Sequence, residues 1–476
     1  MLPTIATGNV ASATADAGYT VANSLRLDYG GSEYLTRTVS SAGSNTKSTL
    51  SAWVKRGNLS IAENTLFGWT TDGTNFYNIK FGTSSDVLDI RWRNDTTQAY
   101  YTATEVFRDT SAWYHIVVAV DTAQATDTNR IKYYINGVQG SGLSGYPPQN
   151  QTVMINNSDC VVRIADSGFS NGYIDGYVAE AVHVDGQQLD PTSFGEFDED
   201  SPTIWKPKDV SGLTFGTNGF YLDFEDSADL GADVSGNSND FTVNNLTSVD
   251  QTTDTPTNNF CTMNPLSNLY NGSYTYEDGN LVVQSDVRRG SYSTFGVASG
   301  KWYCEVKLIS FTNSAYDNNN YGVGVAADTF NGNNSGVGAQ ASAVAYGGDG
   351  NKEVANSASS YGDTYTTNDI IGIALDLDND KIYFSKNGTF QDSGDPTSGA
   401  TGTGAIDIVA VGSTPDGAYF FNSGHIENIA KWSFNFGSPA YTISSGNADD
   451  NGYGNFEYDV PSGYYALCTK NLAEFG

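Results

Sequence analysis

The segment Asp369–Gly388 constrains the fold of this chain most, because it contains two stretches in which apolar residues alternate with other residues, each followed by a turn. The first stretch reads I-I-G-I-A-L-D and the second K-I-Y-F-S-K, so apolar side chains recur at every second position. A period of two is typical of a β-strand with one buried face. The D-N-D at 378–380 and the N-G at 387–388 are residue types that favour tight turns. The segment therefore predicts consecutive hairpins of an antiparallel sheet.

The same pattern extends along the chain and predicts an all-β protein. The chain has 30 tyrosines, 23 phenylalanines and 7 tryptophans as core material, and its 52 glycines, together with Asn and Asp, mark the turns. Aromatic and β-branched residues favour strands. We find no long amphipathic helix pattern, and a length of 476 residues suggests two to four domains.

The net charge of the chain makes some classes of binding partner unfavourable. The chain carries 54 acidic and 23 basic residues, a net charge of −31. Such a charge opposes binding to nucleic acid and to anionic membranes, and no apolar run is long enough to span a bilayer. The first residues lack the basic and apolar regions of a signal peptide. We therefore predict no nucleic-acid binding, no membrane insertion and no export by that route.

The cysteines and histidines argue against a metal centre. Cys160, Cys261, Cys304 and Cys468 lie far apart with no C-x-x-C spacing, and the chain has only 3 histidines. Zinc sites in proteins use clustered Cys and His ligands. Apolar residues surround Cys304 and Cys468, which predicts buried free thiols. No cofactor is expected, and calcium is the one candidate ion.

Two acidic strings are candidate chemical sites. Asp376, Asp378 and Asp380 alternate as in a calcium loop, but Lys381 stands where an EF-hand has glycine. A hairpin turn is the better interpretation. Glu196–Asp200 reads E-F-D-E-D, similar to the acidic strand of some glycoside hydrolases, whose two carboxyl groups act as acid and nucleophile. It is followed by Ser-Pro and falls after the last predicted strand of its domain, so a turn or linker is again preferred.

Five strand-like pieces follow one another in the first half of the chain. They are S-L-R-L-D at 24, L-S-A-W-V-K at 50, W-Y-H-I-V-V-A-V-D at 113, Y-Y-I-N-G at 133 and Y-I-D-G-Y-V-A-E at 173. In this order they resemble the laminin-G-like, concanavalin-A-like jelly roll. The resemblance covers roughly residues 24–194 and implies two stacked antiparallel sheets.

The second half contains five further pieces in order. They are G-K-W-Y-C-E-V at 300, Y-G-V-G-V-A at 321, Y-G-G-D-G-N-K at 346, the hairpin at 369–388 with its K-N-G, and S-F-N-F-G at 433. Together they resemble the SPRY (B30.2-like) domain. This resemblance covers roughly residues 264–437 and implies a second β-sandwich.

The combination, with the closing P-S-G-Y-Y-A-L-C-T-K-N-L at 461, resembles virion proteins of tailed, marine-type bacteriophages. That resemblance implies assembly in the host cytoplasm and a place in the virion. The predicted organisation is an N-terminal arm (1–22), a laminin-G-like sandwich (23–194), a connector with added strands (195–262) and a SPRY-like sandwich with a C-terminal extension (263–476).

Loops at a sandwich edge are the predicted binding surfaces, because sugars stack on aromatic rings and need polar acceptors for their hydroxyl groups. The candidate residues form two groups, Trp69 with Asp72 and Asn75, and Tyr346 with Asp349 and Asn351. The alternative for Trp69 is a core position at a strand end, which we prefer. The alternative for the Tyr346 group is a loop with a purely structural role.

Three functions follow as hypotheses. The first is a tail-fibre or receptor-binding virion protein, homo-oligomeric, that contacts other virion proteins and recognises a glycan or protein on the host surface. The second is a structural capsid decoration or adaptor protein. The third is a glycan-degrading enzyme, whose only candidate catalytic residues lie in Glu196–Asp200. Because we prefer a turn or linker there, we predict that the chain is not an enzyme.

Overall fold

The computed structural model describes residues 18–59, 64–82, 86–95, 97–169, 172–267, 274–285, 289–312, 321–327, 338, 340–425 and 429–476. Residues 1–17 of the predicted arm lie outside this described part. Two compact units divide at Thr257, and we call residues 18–257 the N-terminal sandwich and residues 258–476 the C-terminal sandwich.

The described residues of the N-terminal sandwich form seventeen strands and three short 3₁₀ helices. The strands are β1 (Ser24–Leu27), β2 (Tyr34–Thr38), β3 (Lys47–Arg56), β4 (Thr65–Asp72), β5 (Asn75–Phe81), β6 (Val87–Asn94), β7 (Thr97–Val106), β8 (Trp113–Asp121), β9 (Ile131–Ile135), β10 (Val138–Gln139), β11 (Val161–Ile164), β12 (Gly176–Asp185), β13 (Gly195–Phe197), β14 (Trp205–Pro207), β15 (Phe220–Leu222), β16 (Thr242–Asn244) and β17 (Gln251–Thr252); the 3₁₀ helices are Asp127–Asn129, Pro191–Ser193 and Ser248–Asp250.

These strands form two large antiparallel sheets with the core between them. Sheet A has the order β10-β9-β8-β3-β12-β1-β17, with β15 added beside β12, and sheet B has the order β16-β2-β11-β4-β5-β6-β7. Leu50 and Val178 of sheet A share one buried cluster with Leu35 and Ile79 of sheet B. Burial of such apolar surface is the main stabilising term of the sandwich.

The predicted connector contributes strands to this sandwich. β15, β16 and β17 pair with β12, β2 and β1 respectively, and β13 and β14 form a small hairpin of their own. Phe215 and Tyr221 of this region pack with Val117 on the outer side of sheet A. β8 therefore has apolar neighbours on both faces, which explains the apolar run I-V-V-A-V at its centre.

The described residues of the C-terminal sandwich form fifteen further strands and one α-helix. The strands are β18 (Tyr274–Glu277), β19 (Val282–Ser285), β20 (Arg289–Val297), β21 (Lys301–Thr312), β22 (Tyr321–Ala326), β23 (Ala343–Gly347), β24 (Asn351–Val354), β25 (Ser357–Ser360), β26 (Ile370–Asp376), β27 (Lys381–Lys386), β28 (Thr389–Phe390), β29 (Ile406–Asp407), β30 (Tyr419–His425), β31 (Ile429–Asn435) and β32 (Tyr465–Ala466); the α-helix is α1 (Thr469–Phe475), and 3₁₀ turns span Gln391–Ser393, Pro396–Thr401 and Val411–Ser413.

Sheet C has the order β18-β19-β31-β21-β26-β27-β28, with β29 beside β27 and β32 parallel to β21, and sheet D has the order β20-β30-β22-β23-β24-β25. The predicted hairpin is present as β26 and β27, with Ile373 opposite Phe384. Both side chains are buried in the core. Asn387 and Gly388 have φ values of 48° and 80°, which a type I′ hairpin turn requires.

The C-terminal segment (residues 449–475) covers part of the outer face of sheet C. Tyr303 and Tyr383, which point away from the core, pack with Phe456 and Tyr464 of this segment. All four cysteines are buried and none forms a disulfide bond, which confirms the prediction made for Cys304 and Cys468. The all-β fold class is confirmed, and no helix in the described ranges is long and apolar enough to cross a membrane.

Candidate functional site

The predicted aromatic platform of the N-terminal sandwich is a core residue. Trp69 lies on β4 with 0 % of its surface exposed. Its ring packs edge-on against Tyr77 at a centroid distance of 5.9 Å and against His183 at 5.5 Å. A buried ring presents no face to a sugar, so Trp69 takes the core position that was its alternative.

Asp72 and Asn75 lie in the exposed turn between β4 and β5. The Asp72 carboxylate accepts hydrogen bonds from the Thr74 backbone N–H and hydroxyl, both at 2.7 Å, and from the Asn75 amide at 3.1 Å. The Thr74 donors lower the pKa of Asp72 to about 2. Asp72, Thr74 and Asn75 therefore bond one another within the turn, and a ligand would have to compete with these hydrogen bonds.

Tyr346 is likewise buried, with 0 % exposure. Its ring lies among Tyr361, Tyr365 and Phe384 at centroid distances of 5.5, 5.1 and 5.7 Å. Its hydroxyl donates to the Asp363 carbonyl oxygen. Tyr346 therefore closes one end of the core and is not available for stacking.

Asp349 and Asn351 form the tip of the β23–β24 connection. The Asp349 carboxylate accepts from the Asn351 backbone N–H at 2.9 Å and from its side-chain amide at 2.7 Å. The six predicted residues thus form two separate groups, one in each sandwich. In each group the aromatic ring is buried, the Asp is exposed and the Asn is half-buried. A binding role for Asp72, Asn75, Asp349 and Asn351 stays a prediction.

The acidic triplet at 376–380 forms a turn. Asp376 is buried, contacts the Lys301 Nζ at 2.9 Å, and accepts from the backbone N–H groups of Asp378 and Asn379 at 3.1 Å each. Its oxygens are therefore engaged, and the triplet does not offer a calcium cage. Across the described parts of the chain, no group of three or more His, Cys, Asp or Glu side chains is placed to hold a metal ion.

The E-F-D-E-D string lies on the β13–β14 hairpin and its turn. Lys206 on β14 approaches Glu196 Oε1 at 3.6 Å and Asp198 Oδ2 at 3.3 Å. Asp198 also accepts from the backbone N–H groups of Asp200 and Ser201 at 3.0 and 2.9 Å. These contacts give the string a structural role, and the absence of enzyme activity stays a prediction.

A different site appears on the outer face of sheet C. Val306 and Leu308 of β21 belong to the core, so Lys307 between them faces outward. In the register of the sheet, Lys307 lies opposite Ser433 of β31, and Ser433 lies opposite Val282 of β19. One row of outward-facing side chains therefore crosses three strands.

This row lies in a cleft of about 200 Å³, which we call the outer-face cleft. Pockets for drug-sized ligands have volumes of roughly 300–1,000 Å³, so this cleft suits a smaller group. Its lining combines acidic, basic, amide, hydroxyl and aromatic side chains: Glu277, Asp278, Lys307, Asn368, Lys431, Ser433 and Tyr441.

The two lysines of the cleft differ in their contacts. Lys431 Nζ forms an ion pair with Glu277 Oε2 at 2.6 Å. Lys307 Nζ instead lies over the ring of Tyr441, 5.1 Å from its centroid. Burial raises the pKa of Tyr441 well above its usual range, with Glu305 adding to the effect, so the phenol beneath Lys307 is neutral.

Sequence reasoning singled out none of these cleft residues. The alternation of E-V-K-L in the predicted β21 strand places Glu305 and Lys307 on the outer face, and that signal was available. No sequence signal predicted that Tyr441 lines the cleft, because Tyr441 follows β31 in a segment without a regular pattern.

The comparisons with known proteins identify both domains. Residues 29–187 match the Laminin_G_3 family, described as the concanavalin A-like lectin/glucanases superfamily. Residues 301–412 match the SPRY domain family. Each match covers less than half of the chain.

Solved structures with local similarity include the stonustoxin structure, the SPRY domain of human HERC1 and a putative carbohydrate binding protein from Bacteroides ovatus. They are 13 %, 15 % and 14 % identical over 37 %, 36 % and 48 % of this chain, with TM-scores of 0.27, 0.27 and 0.32. The matches cover 27 %, 96 % and 59 % of those chains, so the first and third extend well beyond what this chain spans. At these TM-scores the similarities carry no functional argument. The chain contains a concanavalin A-like laminin-G domain followed by a SPRY domain.

Proposed function

We propose that this chain is a binding protein of a bacteriophage virion, a tail-fibre or receptor-binding component that recognises a glycan on the host surface. The observation that carries the binding role is the outer-face cleft, which joins hydrogen-bonding side chains and an aromatic residue on a rigid sheet. Several hydrogen-bonding groups that converge on a small cleft suit a ligand with several hydroxyl groups, such as a sugar.

The lectin-type domain and the phage resemblance support the same function from the sequence. A concanavalin A-like lectin/glucanase match in the first half is in keeping with carbohydrate recognition. The order of a laminin-G-like domain, an acidic connector, a SPRY domain and the closing P-S-G-Y-Y-A-L-C-T-K-N-L resembles phage virion proteins. In this proposal the protein is homo-oligomeric and contacts other virion proteins, so that many weak sites act together.

Binding of the full-length protein to host cells tests the proposal. Fluorescently labelled protein should bind intact host cells, and periodate oxidation of the cell-surface sugars should abolish the signal. Repeating the assay in EGTA tests the calcium expectation. Binding that survives periodate but not protease treatment would indicate a protein receptor, and no binding to host cells would contradict the receptor-binding role.

Two further measurements separate the alternatives. Gold-labelled antibody against the protein should decorate tail fibres in electron micrographs of the virion, whereas head labelling would support the capsid decoration or adaptor hypothesis. Incubation with purified host polysaccharide should leave the polymer length unchanged in size-exclusion chromatography. A fall in polymer length would favour the glycan-degrading enzyme.

A further inference from the structure

Lys307 stands out because its charge has no carboxylate partner. Sheet C carries five lysines, at 301, 307, 381, 386 and 431. The other four form ion pairs, with Nζ–O distances of 2.9 Å to Asp376, 2.5 Å to Asp407, 3.5 Å to Asp369 and 2.6 Å to Glu277. Among the described residues, no carboxylate lies within ion-pairing distance of Lys307. Within the described strands of sheet C, Lys307 is therefore the one lysine without an ion pair.

Glu277 and Asp278 also line the cleft, but among the described residues neither forms an ion pair with Lys307. The Tyr441 ring at 5.1 Å attracts the cation through its π-face but carries no net charge. Lys307 also contributes to lowering the pKa of Glu457, but the larger cause there is hydrogen bonding from Ser444. The ammonium group is therefore positioned and still available to an anion.

Ser433 supplies the second, independent observation. Its side chain is 1 % exposed, lines the cleft, and its hydroxyl has no hydrogen-bond partner in the described structure. A buried polar group left unpaired is destabilising, and a ligand oxygen would supply the missing hydrogen-bond partner. Ser433 lies directly opposite Lys307 on the neighbouring strand, where Cβ atoms are typically about 4.5–5.5 Å apart.

We propose that the outer-face cleft binds the carboxylate of an acidic sugar residue, with Lys307 and Ser433 as the two donors. One ammonium and one hydroxyl side by side match the two oxygens of a carboxylate. The amide of Asn368 and the Glu277–Lys431 pair remain to bond the sugar hydroxyls. The volume of about 200 Å³ limits recognition to a single sugar residue of a longer chain. This inference rests on the proposed glycan-binding function and names its ligand class.

Because the protein carries a large net negative charge, the ionic strength of the binding experiment matters. At physiological ionic strength the Debye length is about 8 Å, so distant acidic residues are largely screened while a contact pair in a cleft is not. Binding should therefore be measured by calorimetry at that ionic strength with the full-length protein. The probes are tri-galacturonic acid and its carboxyl-reduced counterpart, which differ only in the carboxylates.

The wild type should bind the acidic trisaccharide at least tenfold more tightly than the reduced one. Lys307→Met, which keeps the length of the stem and removes the charge, should abolish that preference, and Lys307→Arg should restore most of it. Ser433→Ala should weaken binding of the acidic probe alone. The matched control is Lys381→Met, which removes a lysine of the same sheet that is paired with Asp407 and should leave the preference unchanged.

Circular dichroism and thermal melting should show that each variant is folded. An unchanged preference in folded Lys307→Met, or equal binding of both probes by the wild type, would overturn the inference while the host-cell assay still supports glycan binding. Failure of both probes to bind would overturn the acidic ligand class. Failure in the host-cell assay would instead contradict the proposed function itself.

Discussion

The ion pair between Lys55 and Asp254 is buried in the N-terminal sandwich. Lys55 Nζ lies 2.7 Å from Asp254 Oδ2, and the two side chains are 0 % and 1 % exposed. The indole N–H of Trp113 donates to the other carboxylate oxygen at 3.1 Å. A buried pair need not add net stability, but breaking it leaves a charge without its partner in a low-dielectric site.

Asp254→Ala should therefore destabilise the N-terminal sandwich by about 3–5 kcal/mol, because it removes the carboxylate that pairs with the buried Lys55 ammonium. Urea denaturation followed by tryptophan fluorescence measures the loss. Asp407→Ala is the matched control, since Asp407 is 84 % exposed in its pair with Lys381 and its removal should be nearly neutral. Equal effects of the two substitutions would contradict the argument.

Glu180 is a second buried charge, with an unusual backbone. It has a φ of 51° at an irregularity in the pairing of β12 with β3. Its carboxylate accepts from the hydroxyls of Tyr221 at 2.8 Å and Tyr19 at 3.1 Å. Burial raises the pKa of Glu180 to about 7, and the hydrogen bonds only partly oppose the rise.

A raised carboxyl pKa means that the folded state holds its proton more tightly than the unfolded chain does. Its stabilising effect is complete below the unfolded pKa of about 4.3 and is lost as the pH rises towards 7. Glu180→Gln, which mimics the protonated form, should match the wild type near pH 4.5 and exceed its stability by up to about 3 kcal/mol at pH 8. Urea midpoints at both pH values give this difference.

The comparison with Glu180→Gln is needed because other buried groups titrate in the opposite sense. Burial lowers the pKa of His183 to about 4 and that of His115 to about 3, so both reduce stability as the pH falls below about 6.5. These contributions are common to the wild type and the variant and cancel in the difference. A pH-independent difference would show that Glu180 is ionised normally.

At the scale of elements, the C-terminal segment is held by a small polar centre. The Asn471 amide on α1 donates to Asp449 Oδ2 at 2.7 Å and to the Ala466 carbonyl oxygen at 2.9 Å. The same Asp449 oxygen accepts from the Ala466 N–H at 2.9 Å. These bonds fix α1 and β32 to each other on the outer side of sheet C.

Asn471→Ala should release this segment, because it removes two buried hydrogen bonds and leaves their acceptors less satisfied. We expect faster hydrogen exchange in residues 461–475 and a loss of about 1–3 kcal/mol in the C-terminal sandwich. Glu474→Ala serves as the control, because it removes only an exposed hydrogen bond from the Asn451 amide at 3.2 Å and should have a smaller effect. Unchanged exchange in Asn471→Ala would mean that packing alone holds the segment.

Strand patterns predicted more of the elements than of the sites. The alternation in Asp369–Gly388 gave both strands and the turn, because a period of two and an Asn-Gly pair are local signals. The same alternation cannot say whether the outer face of a strand meets solvent or another segment. Trp69 and Tyr346 were therefore candidates as exposed rings although they are buried, and the irregularity at Glu180 left no sequence signal.

At the scale of the molecule, hydrogen bonds on either side of residue 257 assign the chain to its two units. The Thr257 hydroxyl donates to the Val21 carbonyl oxygen at 3.1 Å, within the N-terminal sandwich. Asn259 accepts from the Thr469 N–H at 2.9 Å, within the C-terminal sandwich. Each unit also has a large apolar core of its own. Residues 258–262 carry no recognisable strand motif, so the sequence alone assigned them to the connector and predicted a boundary between residues 262 and 263.

Fragments cut at the two boundaries distinguish these assignments. Residues 258–476 expressed alone should fold cooperatively, since the fragment keeps its whole core. Residues 263–476 should melt at a lower temperature, because they lack Phe260, which packs with Tyr303, and Cys261, whose N–H donates to the Leu467 carbonyl oxygen at 2.9 Å. Differential scanning calorimetry of both fragments measures the difference. Equal melting temperatures would mean that residues 258–262 contribute nothing to the C-terminal sandwich and that the motif boundary suffices for its stability.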